Sequence, residues 1–151
     1  MIVAASLVFA LTCTAFNFLV GNWFVKDVAG RAVGTESVTK DDGGCTLIEK
    51  WRGVTARDVG LAVITYQPAQ KLWHRDALLR SASLLEFDGR TTGGSMFMTA
   101  KQYSESGLTR VHRITWTPNT DGSIRELWQS STDIGNSWQV RFDDVLTRIA
   151  E

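Results

Sequence analysis

At 151 residues the chain has enough length for one domain with its own core, and two cysteines, two prolines and no low-complexity tract exclude a disulfide-dense miniature fold and a disordered chain. Lys plus Arg equals Asp plus Glu at 16 each, so the net charge is zero and no basic footprint for nucleic acid exists. Six Trp and seven Phe supply a heavy aromatic load for a compact interior.

Residues 1–15, MIVAASLVFALTCTA, are apolar and uncharged, too short to cross a bilayer, and end in a small-x-small pattern, so no stable membrane insertion is expected. They read as the apolar part of an export leader without its basic start, or as a buried N-terminal segment. A secreted or periplasmic protein and a cytoplasmic one both fit. Cleavage after Ala15 would leave Cys45 alone, whereas retention in an oxidising compartment would allow a Cys13–Cys45 bridge, and two buried thiols are the third arrangement. Residues 16–151 form the domain.

Phe16 to Lys26, FNFLVGNWFVK, carries an apolar turn into Gly21 and then a strand beginning near Trp23. Arg31 to Thr39 follows Asp27-Val28-Ala29-Gly30, and Asp41-Asp42-Gly43-Gly44 turns the chain again. Cys45 to Arg52 alternates cleanly, with Cys45, Leu47, Glu49 and Trp51 on the inner face. Gly60 to Tyr66 places Ala62, Ile64 and Tyr66 together, and Leu72 to Arg80 places Trp73, Arg75, Ala77 and Leu79 together. Ser81 to Phe87, Ser95 to Tyr103, Leu108 to Thr117, Ser123 to Ser131 and Ser137 to Ile149 complete the count, with Asp88-Gly89 and Gly93-Gly94 among the turns between them. Inward rows on the later strands are Met96 and Met98, then His112, Ile114 and Trp116, then Ile124, Glu126 and Trp128, then Trp138, Val140 and Phe142.

Evenly spaced short strands with glycine turns and no helical period predict an all-β protein, an antiparallel up-and-down barrel of about 8–10 strands behind a short N-terminal apolar turn or helix. Closure removes the exposed edges and leaves room inside for a small molecule.

Gly21-x-Trp23 behind an apolar turn resembles the opening of lipocalins, in which an Arg near the final strand packs over the Trp; here that implies Arg148, or else Arg141. FNFLVGNW at 16–23, GGCTLIEKW at 43–51, YQPAQKLWH at 66–74, RITWTPNTDGSIRELW at 113–128 and the Trp138 to Phe142 run resemble an uncharacterised family of bacterial lipocalin-like, calycin-type domains. The resemblance implies a lipocalin-like barrel, secretion, and pairing of Cys13 with Cys45. Several positions depart from the family pattern: Asn17 for Asp, Leu19 for Trp, Gln67 for Asp, Arg75 for Gln, Ala77 for Trp, Gln129 for Glu, Ile134 for Gly, Asp144 for Gly and Leu146 for Tyr. Because Arg75 and Ala77 fall on the expected pocket wall, no ligand is carried over with the fold.

The expected interior thus gathers Glu49, Arg75, His112 and Glu126 among Trp51, Tyr66, Trp73, Trp116 and Trp128, an apolar and aromatic wall with convergent polar groups. It suits a small apolar or amphipathic molecule, with a carboxylate or hydroxyl near Arg75. Arg75 with one carboxylate also suits a purely structural ion pair. An isomerase or cyclase would use Glu49 or Glu126 as base, His112 as acid and Arg75 against a developing oxyanion. Two separated histidines, His74 and His112, and the absence of phosphate-loop, His-Glu-x-x-His or EF-hand patterns give no metal site; haem held by a lone His74 or His112 is a third reading, and no cofactor is expected. Oligomeric state is not legible.

Overall fold

The computed structural model describes residues 13–41, 43–79 and 83–150. The expected leader, apart from Cys13 to Ala15, lies outside the described residues, as do Asp42 of the expected second turn and Arg80 and Ser81, where one expected strand ends and the next begins.

A single 3-10 turn, Asn17–Leu19, leads into ten strands: β1 (Gly21–Asp27), β2 (Ala32–Lys40), β3 (Thr46–Gly53), β4 (Val59–Gln67), β5 (Leu72–Leu78), β6 (Leu84–Thr92), β7 (Ser95–Ser104), β8 (Gly107–Pro118), β9 (Ile124–Ser131) and β10 (Gln139–Arg148). Each pairs antiparallel with its chain neighbours, and β1 also pairs with β10, so the meander closes into an up-and-down barrel without edges. Alternation along the strands sends one row of side chains into the core, including Trp23, Leu47, Ile64, Trp73, Phe87, Met98, Ile114 and Leu146.

The N-terminal turn plugs one end. Phe16, Leu19 and Trp23 are fully buried there, and Phe16 meets Trp73 and Trp116 edge-on at centroid distances of 5.9 and 5.3 Å. The Trp23 indole N–H donates to the Leu19 carbonyl at 2.8 Å, fixing the ring against the turn. A Cys13–Cys45 disulfide ties this segment to the residue preceding β3. Arg148 covers Trp23 from β10, as the Gly-x-Trp pattern implied, and Gly21 leaves the space: a Cβ there would run into the Arg148 guanidinium. The backbone at Gly21, with φ +149°, also favours glycine.

Two local expectations need correction. Asp88-Gly89 is not a turn, because β6 continues to Thr92, with Gly89 between Trp73 of β5 and Met98 of β7. That glycine serves close strand approach, since a Cβ would strike the Phe97 carbonyl and Met98. In β10, Val140 pairs with Gln129 but Phe142 with Trp128, so Arg141 is an extra residue and the parity flips. Phe142 packs against the core, whereas Val140 is exposed and Trp138 lies beneath the Arg113 guanidinium, 4.0 Å from its centre. Arg113 belongs to the outward row of β8, between buried His112 and Ile114, and is held there by Gln129.

Candidate ligand cavity

At the end opposite the plug the barrel contains a cavity of about 640 Å³. Its upper wall comes from the β1–β2 turn, the start of β4, the end of β5 and the start of β10; exposed Val28 and Val140 mark the mouth. Val25, Val33, Trp51, Ala77, Leu79 and Phe142 make the wall largely apolar. Glu36, Glu49, Arg75 and Glu126 supply the deep polar groups.

Arg75 stands between the cavity and the plug. Its guanidinium carbon lies 5.3 Å from the Phe87 ring and 5.6 Å from that of Trp116, whose other contact is Phe16. Nη2 and Nε donate to the two oxygens of Glu49, at 2.6 and 3.2 Å, a forked pair across β5 and β3. Burial alone would weaken the Arg75 charge, but Glu49, by charge and hydrogen bonding, with Glu126 and Glu36 behind it, holds its pKa above the ordinary value. Nη1 has no hydrogen-bond partner among the described residues.

Glu36 and Glu126 are the carboxyls outside that pair. Burial, then repulsion by Glu126 and Glu49, pushes the Glu36 carboxyl well above the usual range against the pull of Arg75. Burial, then Glu49, lifts Glu126 to about 8; Arg75 opposes this and Asp144 adds to it. The Trp116 N–H, directly across from Glu126 in the β8–β9 register, pulls weakly the other way without closing a hydrogen bond. Nearer the mouth, Asp144 pairs across strands with both Glu126 and Asp27, and burial with its acidic neighbours raises it to about 6.

Of the residues singled out in the sequence, Glu49, Trp51, Arg75, Glu126 and Trp128 line this space. Tyr66, Trp73 and Trp116 stand outside its walls; Trp73 joins Phe16 in the plug and stacks on Tyr66 at 5.4 Å. His112 sits behind Trp128. Its Nδ1 accepts the Trp128 indole N–H at 3.0 Å and its Nε2 bonds to Gln102 Oε1 at 3.0 Å, which sets the neutral Nε2–H tautomer. Burial, helped by Arg110 and Arg141, lowers its pKa to about 4 and keeps it neutral. His74 lies on the outer wall, with Nδ1 on Asp88 at 2.7 Å and Nε2 on Asp76 at 3.0 Å. Glu86 lies beside this group, and ligand atoms of His74, Asp76 and Glu86 come within 4.8 Å of one another.

Sequence reasoning missed Glu36 and Asp144. Around Glu36 the alternation of β2 is mostly small and polar on both faces, so parity gave no signal; the cross-strand partner Trp51 does. Asp144 continues the inward parity of Phe142, but an acid at that position carries no apolar signal. Among the described residues no helix is long and apolar enough to cross a membrane. A scan against protein-family models gives no match for this chain, and a search of curated proteins finds no relative.

Proposed function

We propose that this barrel binds a small hydrophobic or amphipathic molecule in the cavity opposite its plug. The observation that carries the reading is a cavity of about 640 Å³ with an apolar wall around a deep polar group of Arg75, Glu36, Glu49 and Glu126. Membership of the lipocalin-like domains is supported by the Gly21, Trp23 and Arg148 arrangement at the plugged end. Export is supported by the Cys13–Cys45 disulfide, which persists in oxidising compartments.

The test is native mass spectrometry of the purified chain, followed by thermal-shift measurements with aliphatic and aromatic alcohols, acids and amines. Binding should be lost in Ala77→Trp, which fills the cavity from β5, while far-ultraviolet circular dichroism stays unchanged. A chain that carries no molecule and gains no stability from any of these probes does not fit the reading.

A second reading is an isomerase or cyclase. Glu126 favours it: a buried cavity carboxyl whose pKa of about 8 suits proton transfer near neutrality, close to the Arg75 charge. In that case Glu126→Gln loses turnover with little loss of substrate affinity. His112, held between Trp128 and Gln102, takes no part in it.

A further inference from the structure

Acidic side chains lining the cavity outnumber basic ones. Arg75, only 4% exposed, is the deep cation, and Glu49 already occupies two of its nitrogens. Glu36 and Glu126 face the same space without a basic side chain of their own. Glu36 is 5% exposed, and its Oε1 has no hydrogen-bond partner among the described residues. Glu126, Asp144 and Asp27 stand side by side across β9, β10 and β1 and line the wall up to the mouth. Like charges directly opposite one another on a sheet are unfavourable. At the mouth Arg31 neutralises Asp27, and Arg125 neutralises Asp143. Arg141 is the lining cation outside these pairs, against Glu36, Glu126, Asp144 and Asp58.

We propose that the ligand is an organic cation, a protonated amine on an apolar body, with its ammonium held between Glu36 and Glu126. The inference rests on the cavity being a small-molecule site. A carboxylate ligand would find only Nη1 of Arg75 free and would add another acid among Glu36, Glu49 and Glu126. A neutral apolar ligand would leave the Glu36 oxygen unpaired and buried, which is costly. An ammonium brings donors and no acceptor, which complements the unpartnered Glu36 oxygen, and Trp51 and Trp128 put aromatic rings on the same wall. A bare metal ion would be the wrong shape for the site, since it needs several oxygen ligands and leaves the wall of Val25, Val33, Ala77, Leu79 and Phe142 unfilled.

Proton linkage follows from the same geometry. The charged groups facing Glu36 are Glu49, Arg75 and Glu126; those facing Glu126 are Glu36, Glu49, Arg75 and Asp144. Carboxyls outnumber the arginine on every side, so burial and repulsion push both glutamic acids toward the protonated form in the empty cavity. Entry of an ammonium reverses that preference and expels protons.

Isothermal titration of the full chain near pH 7 with octylamine, octanol and octanoate, in two buffers of different ionisation enthalpy, tests the inference. Octylamine should bind about tenfold or more tightly than octanol, octanoate weakest of the three. Octylamine alone should release protons. Glu36→Gln and Glu126→Gln should each weaken octylamine about tenfold, more than they weaken octanol, and should reduce its proton release. Proton release by the unaltered protein is the readout that needs no variant to fold. Octanoate binding tightest, octylamine matching octanol without proton release, or calcium chloride stabilising the protein more than octylamine overturns the cation and leaves the cavity a small-molecule site. If none of the three organic probes binds, the cavity reading falls and the inference falls with it.

Discussion

The Arg148 guanidinium covers the Trp23 indole, its central carbon 4.3 Å from the ring, and its Nη1 donates to the Val20 carbonyl at 3.1 Å. One side chain from the last strand thereby fastens the first strand and the turn before it. Trp23→Ala should cost about 3–5 kcal/mol in urea unfolding, because a large buried ring leaves a cavity. Arg148→Ala should cost about 0.5–1 kcal/mol through the lost cation–π contact at this exposed site. Gly21→Ala should destabilise as well, and less so when Arg148 is already alanine, since the guanidinium is what the new Cβ meets. Folded Arg148→Ala should bind cavity ligands normally, because the plug lies at the other end.

Arg75 and Glu49 form a buried pair in which each partner is the other's compensation. Arg75→Met should destabilise by about 3–5 kcal/mol by leaving Glu49 among two further buried acids. The double variant Arg75→Met with Glu49→Leu should recover most of that loss, since a buried ion pair replaced by apolar residues is often neutral. A double-mutant cycle on unfolding free energies measures the coupling. Two additive single-variant costs would show that the pair is not coupled.

The Cys13–Cys45 bridge closes a loop with a sequence separation of 32 and pins the plug segment to β3. By loop entropy, its removal should cost about 3–4 kcal/mol. Cys45→Ser, or reduction of the native protein, should lower the melting temperature without changing the barrel's far-ultraviolet spectrum. An unchanged melting temperature under reducing conditions would mean the bridge constrains nothing.

The barrel was legible because its signals are local and redundant. Glycine-containing turns separate alternating runs, and Cys45 to Trp51 or Trp73 to Ala77 can sit in a closed sheet in only one parity. The Trp23 plug was legible for the same reason, as a turn and a strand adjacent in sequence. What the sequence hid depends on register. A single extra residue at Arg141 turned Trp138 and Val140 outward while Phe142 and Asp144 stay inward, and no composition rule marks a bulge. Glu36 was hidden because its strand offers no apolar row against which to judge its face. The pocket's depth was also unreadable: Trp73, Trp116 and Tyr66 share the inward parity of the cavity residues, but they stand nearer the plugged end.

Two buried groups should give the stability of the empty barrel opposing slopes with pH. Glu126 titrates at about 8 in the folded chain against an ordinary 4.5, so between those values the folded state holds the extra proton. Stability therefore falls as pH rises through that window, and Glu36, raised in the same sense, adds to the fall. His112 runs the other way: lowered to about 4 from 6.5, it lets the unfolded chain take the proton first, so stability rises with pH across that interval. Between roughly 4.5 and 6.5 the histidine slope offsets only part of the carboxyl slopes, to which Asp144, raised to about 6, also contributes, and above 6.5 the carboxyl slope acts alone. Thermal unfolding should thus show stability falling from about pH 4.5 toward pH 8, damped by His112 below 6.5. Glu126→Gln should flatten the decline and be more stable than the unaltered chain at pH 8, by on the order of 2–4 kcal/mol. His112→Gln should steepen the fall between about pH 4.5 and 6.5, because the compensating slope is gone. Octylamine at saturation should erase the decline above 6.5 in the unaltered protein, since the bound cation supplies the charge that Glu126 and Glu36 otherwise lack. A decline that survives in Glu126→Gln at full amplitude would place its origin in other groups.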